Sequence, residues 1–165
     1  MALIVEDGTG LEDANSYVSL DEADQYHSDR NNTAWLSLTE QEKTGRLINA
    51  AAYMGGFSFK GLRLNPEQGL SFPRYYPPED KPESAAIPRK VKSCQCEMAL
   101  QTSLLAPSDG RVISEERIEG AIDTKYDTSR AYAQPVYPAI NLYLGPYLWT
   151  EQTGGGVSFG RVVRT

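Results

Sequence analysis

Three stretches of the chain repeat their apolar residues at helical spacing and two later ones alternate apolar with polar residues, which predicts a mainly α fold with a small β part. Ser19-Leu-Asp-Glu22 reads as a capping box, in which each end residue satisfies the other's backbone N–H, and it predicts a helix over Leu20 to Ser28. Leu20, Ala23, Tyr26 and His27 fall on its one apolar stripe. A second box, Thr39-Glu-Gln-Glu42, opens a helix carrying Leu47, Ile48, Ala51 and Met54, and Gly55-Gly56 is expected to stop it through a left-handed residue. Pro88 suits the first turn of a third helix, expected from about Pro88 to Ala106 with Val91, Cys94, Met98, Gln101 and Leu105 on one face. Arg89, Lys90 and Lys92 in its first turn oppose the helix dipole, so an acidic neighbour is expected opposite them. A last helix is expected from about Pro138 to Trp149, kinked or broken by Pro146. These parts make a bundle of about four helices.

The first alternating stretch, Val112 and Ile113 followed by Ile118, Ile122, Thr124 and Tyr126, predicts a β-ribbon or hairpin at about 111–127. Leu3 to Val5 is expected to form a short strand before a turn at Gly8 and Gly10. From Phe57 to Ala86 the many prolines and aromatics predict a long ordered loop, with one helical turn near Pro66 to Leu70. After residue 150 the glycines 154–156 form a hinge, and Val157 to Arg164 alternate like a strand that needs a sheet edge to order it. Residues 1–150 therefore read as one domain and 151–165 as an extended C-terminal arm.

At 165 residues the chain is long enough to bury one core without disulfides or metal. Its net charge of −6 argues against tight, sequence-independent binding of a polyanion. No run approaches the roughly 18–20 apolar residues of a membrane span, and the start lacks the basic and apolar regions of a signal peptide, so synthesis in the cytoplasm is expected. Cys94 and Cys96 lie about 200° apart on a helix and share no ligand or bond, so reduced side chains are expected, with Cys94 in the core.

Candidate chemistry is sparse. His27, the one histidine, has no nucleophile near it in sequence and is expected to be a partly exposed structural residue. Glu6 to Asp13 approaches a calcium loop without the downstream glutamate, and neither glycine cluster has the lysine of a phosphate-binding loop, so both read as turns. No catalytic, cofactor or metal residue is assigned, and no enzymatic activity is expected. Phe72, Arg74, Tyr75, Tyr76, Arg89, Lys90 and Lys92 are the best local set for stacking and holding a single strand, although aromatics among prolines more often seal a core edge or a protein interface.

The opening Ala2-Leu-Ile-Val-Glu-Asp-Gly-Thr-Gly-Leu, then Ala14-Asn-Ser-Tyr-Val-Ser, Leu70-Ser-Phe-Pro-Arg, Ala86-Ile-Pro-Arg-Lys-Val-Lys and Ser114-Glu-Glu-Arg-Ile-Glu-Gly together resemble a family encoded by tailed phages and labelled DnaT-like single-stranded DNA-binding. The same proteins resemble head–tail connectors, or adaptors, of the virion neck. That resemblance implies a ring of about twelve copies under the portal, joining capsid to tail while double-stranded DNA passes without specific binding. The partners it implies are the portal protein, tail or neck proteins and further copies of the chain. Within this reading the partner interface is expected at Val157, Phe159, Arg161 and Val163 of the arm and at Arg74, Arg89, Lys90 and Lys92. The alternative is a single-stranded DNA-binding replication protein.

Overall fold

The computed structural model describes residues 2–102, 104, 112–118, 122–127 and 137–149. Both capping boxes form. Ser19 Oγ accepts the Glu22 N–H at 3.1 Å and the Glu22 carboxylate accepts the Ser19 N–H at 2.9 Å, starting α1 (Leu20–Ser28). Thr39 and Glu42 exchange the same pair of bonds at the start of α3 (Glu40–Gly55). Between them lies α2 (Thr33–Leu36), a single turn too short for periodicity to reveal. What holds it is Trp35, fully buried, whose indole N–H donates to Asp24 of α1 at 2.6 Å.

Helix α3 does not end on a left-handed residue as expected: Gly56 has φ −73°. Two successive glycines weaken the helix enough to stop it there. The fourth helix, α4 (Arg89–Ala99), is capped by Pro88 and ends at Leu100, well short of Ala106. Thr102 and Ser103 beyond it are weak helix formers. The acidic neighbour expected at its start is Glu22, 2.8 Å from Lys92 Nζ.

Helices α3 and α4 pack against each other, with Arg46 donating to the Leu100 carbonyl and Gln95 to the Leu47 carbonyl. Because α1, α3 and the segment after residue 137 all pack on α4, it is buried around most of its circumference, and Cys96 is as enclosed as Cys94. Burial pushes both thiols up to about 12, which leaves them protonated and inert. Leu47, Met54, Val91, Met98, Ile140 and Leu144 complete the centre of the core.

The expected strand at Leu3–Val5 reduces to one bridge between Val5 and Ser16. The proline-rich loop contains a short antiparallel pair, β1 (Leu62–Arg63) with β2 (Arg74–Tyr75), and Pro66-Glu67 make a turn rather than a helical turn. The predicted ribbon is present as β3 (Val112–Ile118) and β4 (Ile122–Asp127), antiparallel from Val112 opposite Asp127 to Ile118 opposite Ile122, with an irregularity between Ile113 and Glu115. The last helix is broken as Pro146 requires: a π-helical turn, Ile140–Leu144, runs into a 3-10 turn, Gly145–Tyr147. The chain then pairs Leu148 with Phe59. The fold is thus mainly helical with a small antiparallel β part. The arm, 151–165, with Val157, Phe159, Arg161 and Val163, lies outside the described residues.

Candidate interaction surface

The opening loop is a hydrogen-bonded turn built on a buried acid. Gly8 and Gly10 take φ +100° and +81°, which turns the N–H groups of Gly8, Gly10 and Leu11 inward into one concave site, while the Thr9 N–H donates to Asp7. The Glu6 carboxylate, 3 % exposed, fills it and accepts from Gly8, Gly10 and Leu11 at 2.9, 2.9 and 3.0 Å. A Cβ on Gly8 would lie 2.8 Å from the Ala85 carbonyl oxygen, so the loop also packs closely on the chain before α4. What resembles an ion loop is therefore satisfied internally.

Other buried polar side chains tie distant segments together. Gln95, fully buried, accepts the Tyr17 N–H at 2.8 Å and donates to Ser16 Oγ and the Leu47 carbonyl. The Tyr17 hydroxyl accepts from the Ser71 and Phe72 N–H groups, and burial pushes its pKa up to about 12. His27 is buried, contrary to the expected partial exposure. Its ring lies 4.5 Å from that of Trp35, its Nδ1 is 2.9 Å from Asn32 Nδ2, and its Nε2 has no hydrogen-bond partner among the described residues. Burial lowers its pKa, outweighing the raising effects of Glu97, the nearby Cys96 backbone and Asp24.

The cations and aromatics grouped in the sequence do not form one surface. Phe72 is a core residue, edge-on to Tyr17, Phe59 and Tyr147. The Arg74 guanidinium donates to four backbone carbonyls, those of Lys60, Ser71, Phe59 and Gly61, at 2.7, 3.1, 3.1 and 2.5 Å. It staples the β1–β2 loop and presents no free fork to a partner. Tyr76 is 40 % exposed, against the backbone of Gly61.

Arg89 and Lys90 are exposed and their side chains bond no described residue, and Lys92 is paired with Glu22. Arg89 and Lys92 line an open cleft of about 300 Å³ between α1 and α4, together with Tyr26, Arg30 and Ser93. Arg30 is held flat there, its guanidinium carbon 3.5 Å from the centre of the Tyr26 ring, with Nη1 donating to the Tyr26 carbonyl at 3.1 Å and Nε 3.8 Å from Glu97. Tyr26 itself donates to Glu97 at 2.6 Å. Arg30 does not stand out in the sequence as a surface group. Its one local sign is the four-residue spacing from Tyr26, which lets the side chain fold back from the turn after α1 onto that ring.

A family described as "Putative DnaT-like ssDNA binding protein" matches residues 1–165, the whole chain. The chain belongs to this family. No curated protein and no solved structure matches it. The four described cations that the sequence singles out therefore divide into an internal staple, Arg74, and a group at the start of α4, Arg89, Lys90 and Lys92. Among the described residues no cluster of metal-ligating side chains occurs, and no helix is long and apolar enough to cross a membrane.

Proposed function

We propose that this chain is a structural protein of the phage neck, a head–tail connector that docks as a ring beneath the portal and lets double-stranded DNA pass. The observation that carries the reading is how the cations and aromatics are used. The set best suited to grip a strand has Phe72 in the core and Arg74 bound to backbone, in a chain of net charge −6. A channel through which DNA slides needs walls that do not hold phosphates, and an acidic chain suits that role. Affinity for the portal then comes from many weak contacts repeated around the ring, with the glycine-hinged arm reaching a neighbouring copy or the portal.

A second reading is single-stranded DNA binding, which the family description supports more directly than it supports a connector. On that reading Arg89 and Lys90, exposed at the start of α4, are the first candidates for phosphate contacts. One experiment separates the two: the native mass of the full chain, alone and with the portal of the same phage, alongside a salt-titrated single-strand binding assay. A ring of about twelve copies on the portal, without DNA affinity at physiological salt, supports the connector. A small oligomer that ignores the portal and binds single strands with a steep salt slope supports the second reading and overturns the first.

A further inference from the structure

The cleft between α1 and α4 has an uneven hydrogen-bonding balance. Its carboxylates are already engaged. Glu22 accepts from the Ser19 N–H at 2.9 Å and from Lys92 at 2.8 Å, and Asp29 accepts from Gln25 at 2.6 Å. Its donors are not. Arg89 and Ser93 make no side-chain hydrogen bond to any described residue, Arg30 uses Nη1 and leaves Nη2 without a bond there, and Lys92 spends one of its three N–H donors. Two of these cations are fixed beforehand, Arg30 by the Tyr26 ring and Lys92 by Glu22. A rigid pair of cations beside a free guanidinium reduces the ordering cost of taking an anion.

Size and surroundings define the anion further. About 300 Å³ is at the small end of ligand sites and holds one or two side chains. Glu22 on α1 and Asp29 just after it line the same cleft, so a continuous run of phosphates would bring several negative charges past both, whereas a single carboxylate brings one charge to set against Arg89, Arg30 and Lys92. We propose that this cleft is a docking site for an acidic segment of a partner protein, one glutamate or aspartate side chain seated between Arg89, Arg30 and Lys92. The proposal rests on the connector reading for the partner's context, but the cleft's chemistry is tested independently of it.

The test uses the isotopically labelled full chain at physiological salt, titrated with three probes: a helical peptide with glutamate at every third or fourth position, the same peptide with lysine in place of glutamate, and a thymidine 15-mer. The expected result is that the acidic peptide alone shifts the signals of Arg30, Arg89, Lys92 and Ser93, and that Arg89→Glu weakens its binding at least fivefold while the amide spectrum keeps its native dispersion. Arg89 is exposed and unbonded within the described residues, so this variant does not disturb the core. Ser93→Ala serves as a second, uncharged variant, expected to weaken binding about twofold. Absence of shifts at these four residues overturns the proposal, as does tighter binding of the oligonucleotide at the same residues, which would assign the cleft to DNA. Binding of the acidic peptide by a chain that ignores the portal would leave the cleft standing and remove the connector reading.

Discussion

Replacing Glu6 by alanine is expected to destabilise the protein by about 4 kcal/mol, because the variant strands N–H groups that only this carboxylate reaches. Gly8 and Gly10 are buried, and both donate to Glu6 Oε1, while the part-buried Leu11 N–H donates to Oε2. A hydrogen bond to a charged group contributes about 1.5–3 kcal/mol, and a partly exposed donor recovers part of that from water. The loss is a large share of the 5–15 kcal/mol typical of a domain, and it corresponds to a melting point lower by about 8–16 °C at this chain length. Glu6→Gln keeps one oxygen for Gly8 and Gly10 but turns an NH2 toward the Leu11 N–H, so about half the loss is expected. Urea unfolding followed by the fluorescence of buried Trp35 measures both, with Asp13→Ala, exposed in the same loop, as the control expected within about 0.5 kcal/mol of wild type. If Glu6→Ala moves the midpoint no more than Asp13→Ala does, the carboxylate does not hold the loop through the Gly8 and Gly10 N–H groups.

Arg74→Lys retains the charge but not the fork that reaches four carbonyls, and it is expected to cost about 2 kcal/mol in a thermal melt. Arg89→Ala should be within about 0.5 kcal/mol of wild type in the same assay. Burial lowers the pKa of His27 in the folded state, so the unfolded chain binds the extra proton first. Stability should therefore fall as pH drops below the ordinary imidazole value of about 6.5. Urea midpoints between pH 7 and pH 5 are expected to show that slope in wild type and to lose most of it in His27→Phe; equal slopes would contradict it. A chain ending at Thr153 is expected to keep the native far-ultraviolet spectrum yet fail to join an assembly on the portal, as measured by native mass, and normal assembly would show that the arm is dispensable.

The parts of the fold legible in the sequence are those specified by residues close together. Ser19 with Glu22 and Thr39 with Glu42 are three residues apart, and both helices start where those pairs place them. The alternation from Val112 onward likewise declares β3 and β4. What the sequence hid depends on contacts between distant residues. Nothing around Gln95 signals that it bonds Tyr17, Ser16 and Leu47, 78, 79 and 48 residues away. Arg74 reads as an interface cation until the carbonyls of residues 59–61 are seen around it. His27 looks like an ordinary helix residue because Trp35, which covers it, stands on a single turn without periodicity. The candidate cleft was half visible: Arg89 and Lys92 stood out as charge against a helix dipole, whereas Arg30 and Ser93 join them only once α1 and α4 are packed.

Gln95 also sets a schedule for the newborn chain. Ribosomes add about 5–20 residues per second, so this glutamine, 78 positions after Tyr17, is made about 4–16 s later. Until then Ser16, Tyr17 and the Leu47 carbonyl lack the side chain that joins them. Helices α1 and α3 cannot close into a finished unit during that interval, and their apolar stripes stay open to other nascent chains and to chaperones. A translational pause just before residue 95 would lengthen the exposure, and one well after it would not.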